Sequence, residues 1–332
     1  MSTVVVTGAS GHIGANLVQS LLDQGRRVRA VAHTRKGLLE GAEVEWVEAD
    51  VRDKASLVRA FEGADVVYHL VALISIDGEQ GGLVPEINVK GAANAAQAAL
   101  ECGVRRLIHF SSVHAFDIAR QGGAVDESWP RSNTPQHNAY DRSKAAGEVE
   151  VRKVIEAGLD AVIVHPTGVI GPNDGEPSRM GQVFLDLYHR KLPGLINGGF
   201  NWVDVRDVVA GAMAAEVRGQ RGRNYLLSGH WRSVAELASL AESITGVKPP
   251  WMVSPMWLAR VGAPFQVAFN RMLGQRPLYT SESLEALRAN RDISHARASA
   301  ELGYAPRPIE RSVEDIYSWF RARGMLAGQG EG

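Results

Sequence analysis

Cysteine is almost missing from this chain. Cys102 is the only one among 332 residues. That excludes an intramolecular disulfide and any zinc site built from several thiolates, and it suits a reducing compartment. Net charge is nearly missing too, at −1, so no global field would recruit nucleic acid or an acidic membrane surface. Long apolar runs are absent. The most apolar internal stretch, Val66 to Ile76, is too short to span a bilayer and contains His69. The start, MSTVVVTGAS, lacks the basic head and apolar run of a secretory signal. There is no plausible His/Asp/Glu metal cluster, no internal repeat and no low-complexity tract. What remains is 45% hydrophobic and 22% charged, an ordinary globular composition. The expectation is a soluble, cytoplasmic protein without nucleic-acid or membrane partners.

The first half alternates short β-branched runs with helical periods. The pattern predicts strands at Thr3–Thr7, Arg27–Ala32, Val44–Glu48, Val66–Leu70, Leu107–Phe110 and Ala161–Val164. Helices are expected between them, at Ile13–Gln24, Lys54–Phe61, Glu86–Cys102 and Tyr140–Ala157. Such alternation implies an α/β fold with a parallel sheet covered by helices on both faces. Continuous apolar strands such as VVYHLVAL fit a sheet buried on both sides. After Pro166 the pattern breaks at the turn-rich GPNDGEPS, a helix is expected at Val205–Val217 and a strand at Asn224–Ser228. From Val234 the chain reads as mostly helical. The implied organisation is a dinucleotide-binding domain over residues 1–170, rejoined by 203–228. A smaller, mostly helical substrate cap takes 171–202 and 229–327, and 328–332 form a disordered tail.

The first strand runs into Thr7-Gly8-Ala9-Ser10-Gly11-His12-Ile13-Gly14. Glycines there allow a tight turn, close approach of backbone to a pyrophosphate, and packing of helix on strand. The pyrophosphate then meets free N–H groups at the helix start. The second strand should end beside the adenosine ribose. An acid there would bind the ribose hydroxyls of NAD, whereas basic residues would take the extra phosphate of NADP. His33, Arg35 and Lys36 cluster and no acid appears, so NADP is expected, with NAD as the alternative. Asp50 could accept a hydrogen bond from the adenine amino group or cap a helix.

Tyr140 and Lys144 stand i, i+4 and would share a helix face. An adjacent ammonium favours the phenolate and lowers a phenol's pKa. A poised phenol can exchange a proton with an oxygen whose carbon exchanges hydride with a nicotinamide. A second hydrogen-bond donor is expected at Ser111-Ser112, after the fifth strand. Taken together these stretches resemble an extended short-chain dehydrogenase/reductase, across essentially the whole chain. The resemblance rests on TGASGHIG, "DV" at 50–51, YHLVA at 68–72, NVKGAAN at 88–94, HFSSVHAF at 109–116, YDRSK at 140–144, HPTGVIGP at 165–172 and NWVDVRDVV at 201–209. The ending AELGYAPRPIERSVEDIYSWF is similar to the dihydroflavonol-reductase and hydroxysteroid-dehydrogenase branch.

The resemblance implies a Rossmann-type doubly wound sheet, a nicotinamide cofactor and a catalytic set of Ser112, Tyr140 and Lys144. It selects Ser112 over Ser111, and gives Lys144 the nicotinamide ribose. Cofactor contacts are implied at Gly8, Ser10, Gly11, His12, Ile13, Asp50, Val51, Val71, Ala72, Pro166, Thr167, Gly168 and Val169, beside the basic set 33–36. Asn88 is expected behind the site as a structural or water-organising group, and Trp202 and Asp207 as anchors of the cap. A homodimer through the helices at 86–102 and 140–157 is also implied, although the alanines along Ala92–Ala99 would equally permit packing on the sheet.

Three departures narrow the reaction. Val113-His114 follows Ser112 where related sugar dehydratases carry an acidic pair. His165-Pro166 stands where nucleotide-sugar epimerases have "FNP". Phe200-Asn201-Trp202 replaces the segment whose arginine holds a diphosphate, and a phenylalanine cannot pair a diphosphate. The expectation is an NADP(H)-dependent reductase or alcohol dehydrogenase. The alternatives are a nucleotide-sugar epimerase with retained NAD and a non-catalytic dinucleotide sensor. His114 and His165 are candidate substrate residues, each with a structural alternative. Trp251, Met252, Met256, Trp257, Leu258, Phe265 and Phe269 would form either an apolar substrate pocket or the cap's own core.

Overall fold

The computed structural model describes residues 2–32, 36–76, 78–258 and 280–327. The chain begins β1 (Thr3–Thr7), α1 (His12–Asp23), β2 (Arg27–Ala32), β3 (Glu45–Glu48), α2 (Lys54–Phe61) and β4 (Val66–His69). A single helical turn, α3 (Leu83–Pro85), leads through a π-turn at Glu86–Lys90 into α4 (Gly91–Glu101). Then come β5 (Arg106–Phe110), α5 (Ala139–Glu156), β6 (Ala161–Pro166), β7 (Gly168–Ile170), α6 (Arg179–Tyr188), β8 (Leu195–Ile196), β9 (Gly199–Asp204), α7 (Val205–Arg218), β10 (Asn224–Leu227), β11 (His230–Ser233) and α8 (Val234–Thr245). Beyond α8, β12 (Val253–Ser254) pairs with β8, and helices follow at Ala296–Leu302 and Ile309–Ala322.

Seven strands form one parallel sheet in the order β10-β6-β5-β4-β1-β2-β3. Alternate residues of each strand enter different cores. Val4 and Val6 pack with Leu17, Val18 and Leu21 of α1 and Val208 and Ala212 of α7. Val5 and Val67 pack on the other face with Leu57 of α2, Ala95 and Ala99 of α4, and Val151 of α5. A period-two strand sandwiched by helices must be apolar on both sides, and burial of VVVT and VVYH is complete or nearly so. The expected α/β sheet with flanking helices is therefore present.

The order reverses between β1 and β4, so the crevice at their carboxyl ends is where such sheets bind ligands. A second sheet, β11-β9-β7, lies beyond it, with β7 entering directly from β6. Residues on α6, α8 and Ile309–Ala322 close the second core over it. Ala298, Leu302 and Tyr304, expected in the cap, join the core of the main sheet instead. Trp202 is buried and donates Nε1–H to the Arg232 carbonyl inside the second sheet, while the Asp207 carboxylate on α7 accepts from Arg307 and ties the segment before the last helix to α7. The alanines of α4 turn inward, into the core under the sheet. Among the described residues no helix is long and apolar enough to cross a membrane.

Candidate active site

The loop after β1 makes a turn that only glycine accepts easily. Gly8 has φ +69°, and its open side lies against the Leu70–Val71 backbone. Gly11 N–H donates to the Gly8 carbonyl, and Gly11 is the N-cap of α1 with no side-chain cap. The first amides of α1 are thus left for an anion. A cavity of about 230 Å³ opens over them, lined by Ser10, Gly11, His12, Leu38, Asn173 and Asp174. His12 Nε2 is bonded to the Pro172 carbonyl. A glycine-backed, uncapped helix start at the switch point fits a dinucleotide pyrophosphate. Gly14 secures it by sterics: a Cβ there would stand 2.1 Å from the Gly8 carbonyl oxygen. Gly14→Ala should therefore cost about 1–3 kcal/mol of stability and weaken dinucleotide binding. Urea midpoints and tryptophan quenching by NADPH would read the two effects.

The other cofactor positions divide. Ser10, Gly11 and His12 line the cleft, and Ile13 lies in the first turn of α1. Val51 is buried and its carbonyl accepts from Asn94. Val71 and Ala72 follow β4 at the crevice edge. Asp50 is ion-paired with Arg52 at 2.6 Å, and the helix cap is Asp53, not Asp50. His33 and Arg35 lie outside the described residues, and Lys36 stands over the Trp46 ring at 5.5 Å. Thr167 donates to Asn201 Oδ1, and Gly168 and Val169 belong to β7, where they pair with Trp202 and Val203 of β9. Pro166 ends β6.

Ser112 caps the turn after β5, where its Oγ accepts from the His114 amide. Tyr140 lies in the first turn of α5, with its phenol close enough to the Ser112 hydroxyl for that group to lower its pKa. Lys144, one turn on and buried, donates to the Phe110 carbonyl at 3.0 Å. The three expected groups thus converge at the carboxyl end of β5. The electrostatics differ from the spacing argument. Burial pushes the Tyr140 phenol up to about 12, the Ser112 bond lowers it only in part, and Asp141 adds to the rise. Burial also lowers Lys144 to about 8, against the opposing pull of Glu148. The phenol is raised here because desolvation outweighs the neighbour effect, and the Lys144 ammonium points at a carbonyl.

Several groups in the site were not legible in the motif. Tyr140, Lys144 and Glu148 form one row at four-residue spacing, and the last was overlooked. Glu148 is buried between His165 (2.9 Å), Arg131 (2.9 Å) and Arg152 (2.7 Å). Burial opposes its ionisation, but these three groups outweigh it and hold the carboxyl well below its usual range. His165 is fully buried, bonded to Glu148 and tilted on the Phe116 ring; it stands behind the site, not in the cleft. His69 and His109 were also overlooked. They are paired across β4 and β5, stacked at 5.5 Å and buried. Burial, assisted by Lys144, holds His69 down at about 3. Burial also lowers His109, with His69 adding to it. The signal was there: each strand carries a histidine inside an otherwise apolar run, at VVYHLVAL and LIHF. Asn88, on the π-turn, bridges Leu73 and Ser143, and its carbonyl approaches Gly147 so closely that a Cβ there would lie 2.3 Å away.

The cap departs from expectation. Trp251 is 93% exposed and Trp257 67%, with Met252 and Leu258 exposed as well. Those four belong to none of the buried clusters among the described residues, while Met256 packs on the small Ile196–Leu284 cluster. Phe265 and Phe269 lie outside the described residues. A cavity of about 840 Å³ is lined by residues that include Gln121, Gln136, Asn197, Trp231, Leu287, Arg288 and Arg291. No group of three or more metal-ligating side chains occurs among the described residues.

The model of the NAD dependent epimerase/dehydratase family matches residues 4–227. The chain belongs to that family. As an extended short-chain dehydrogenase/reductase it is an enzyme with an NAD(P)-binding Rossmann sheet. It is 36% identical over 329 residues to sterol demethylase protein B of Methylococcus capsulatus, covering 98% of this chain and all of that one. It is 31% identical to a putative dihydroflavonol 4-reductase of Synechocystis, covering 98% and 96%. Among solved structures, gox2253 matches with a TM-score of 0.84 and 32% identity over 98% of this chain and 99% of that one.

Proposed function

We propose that the chain is an NADP(H)-dependent reductase or alcohol dehydrogenase acting on the carbonyl or secondary alcohol of a small or lipophilic substrate. The nicotinamide, when bound, supplies or accepts the hydride. Ser112 hydrogen-bonds the substrate oxygen, and Tyr140 gives that oxygen its proton in reduction and takes it in oxidation. Lys144 holds the nicotinamide ribose and stabilises the phenolate that Tyr140 becomes. Pro166, Thr167 and Gly168 line the nicotinamide. The carrying observation is the convergence of Ser112, the Tyr140 phenol and a buried Lys144 at the carboxyl end of β5. Phe200, at the position where epimerases hold a diphosphate arginine, stacks on His114, which speaks against a nucleotide-sugar substrate. The names of the two relatives favour a lipophilic, ring-bearing substrate.

Oxidation of NADPH and NADH by a panel of ketones and aldehydes tests the reading. NADPH is expected to be preferred, because His33, Arg35 and Lys36 would pair its 2′-phosphate. The double variant Arg35→Asp, Lys36→Asp should reverse that preference by roughly tenfold or more. An unchanged ratio of kcat/KM values would assign the preference elsewhere. Reduction should also decline as pH rises past about 8, where Lys144 loses its charge. A profile flat to pH 10 would contradict that role. In solution we propose a cytoplasmic homodimer centred on α4 and α5, where Leu100 and Val149 remain exposed; a monomeric mass by light scattering would contradict it.

A further inference from the structure

His114 is fixed on three sides in the same cleft as Tyr140. It lies in the one-turn helix at Val113–Ala115, directly after Ser112. Its Nδ1 is 2.9 Å from Asp141 Oδ1. Its ring is stacked on Phe200 at 5.7 Å and 15°, and meets the Tyr140 ring edge-on at 5.6 Å. Asp141 is buried and is placed by the start of α5, where its amide donates to the Asn138 side chain. The carboxylate stands against Nδ1 and turns the other ring nitrogen, Nε2, away from it. Nδ1 is buried, yet the side chain keeps 20% of its surface open. Nε2 has no hydrogen bond among the described residues.

Gly199, which precedes Phe200, lines the 840 Å³ cavity, whose walls mix Gln121, Asn197, Arg288 and Arg291 with Trp231 and Leu287. An imidazole next to the acid–base phenol suits a second substrate oxygen placed near the reacting carbon.

We infer that His114, held by Asp141, is a specificity-determining residue that hydrogen-bonds a second oxygen of the substrate, on the carbon adjacent to the reacting carbonyl or on the next one. The inference rests on the oxidoreductase reading. Asp141 acts through His114 and is a positioning residue. The second oxygen belongs to a hydroxyl or to a carboxylate: a hydroxyl donates to an unprotonated Nε2, whereas a carboxylate accepts from an Nε2 that carries a proton.

Matched ketone pairs test it: 2-hydroxycyclohexanone against cyclohexanone for the hydroxyl, and acetoacetate against pentan-2-one for the carboxylate. The readout is the ratio of kcat/KM within each pair, since a folding defect lowers both members together. The wild-type chain is expected to favour the oxygenated member of at least one pair by about tenfold or more. His114→Phe, which keeps the stack on Phe200, should bring that ratio to near one. Asp141→Asn should lower it less. NADPH binding by fluorescence quenching verifies that each variant is folded, and His114→Leu replaces any variant that is not. No preference in the wild type, or a preference that survives in both His114 variants, overturns the inference and leaves the oxidoreductase reading standing. Reduction of none of the four ketones, nor of the wider panel, overturns both.

Discussion

Replacing Tyr140 by Phe should reduce cofactor-coupled turnover by about 10³-fold, within the span typical of general acid–base groups. The substitution removes one hydroxyl and leaves the ring that meets His114 edge-on. Lys144 keeps its bond to the Phe110 carbonyl, so dinucleotide binding should be retained. Ser112→Ala should cost less, about 10²-fold, because the phenol still addresses the substrate oxygen and only one hydrogen-bond donor is lost. Steady-state assays with each variant, beside NADPH titration by fluorescence, separate lost chemistry from lost binding. A Tyr140→Phe enzyme within tenfold of wild type would remove the phenol from the mechanism.

Acid should destabilise the fold through two histidines the motif does not use. His69 and His109 are buried and held neutral, with folded pKa values far below the ordinary 6.5. In the unfolded chain both would protonate near that ordinary value. The unfolded state therefore binds more protons below pH 6.5, and stability falls as pH falls through that window towards about 3. The pair should lose on the order of 2–3 kcal/mol of stability between pH 7.5 and pH 5.5. Glu148 enters later. Its carboxyl is depressed in the fold, so its contribution is present above the ordinary carboxylate value and is lost only below it. Urea unfolding at pH 7.5 and 5.5 measures the difference, and the double variant His69→Asn, His109→Gln should lose most of it. A wild-type free energy that is equal at the two pH values would contradict the buried, neutral state.

The main sheet was legible because its strands obey one rule. A strand covered on both faces is apolar at every position, and VVVT, VVYH and AVIV announce that without ambiguity. The glycine loop was legible because Gly8 and Gly14 answer to steric demands that no other residue meets. The second sheet was not legible. GFNWVD is buried at every position like a core strand, yet it contains a glycine, an asparagine and an aspartate, whose partners are Trp231, Thr167, Gly229 and Arg206. Apart from Arg206, two residues beyond Asp204, those contacts are long-range and leave no local period. The run from Glu86 to Cys102 read as a single helix, and the structure inserts a π-turn at Glu86–Lys90 where Asn88 meets Gly147 and Leu73. Spacing placed Tyr140 above Lys144 but carried no information on desolvation, so the direction of the phenol's shift was inverted. The apolar residues at 251–258 allowed either a pocket or a cap core by composition alone, and exposure is a property that composition does not carry.

The account depends above all on hydride passing directly between a nicotinamide and the substrate carbon beside Tyr140. Incubating the enzyme with NADPH deuterated at the transferred C4 position, together with a ketone it reduces, tests this by mass spectrometry of the product. The account predicts one deuterium on the new carbinol carbon and one equivalent of oxidised cofactor. A product without deuterium, or turnover that leaves the cofactor pool unoxidised, would contradict it.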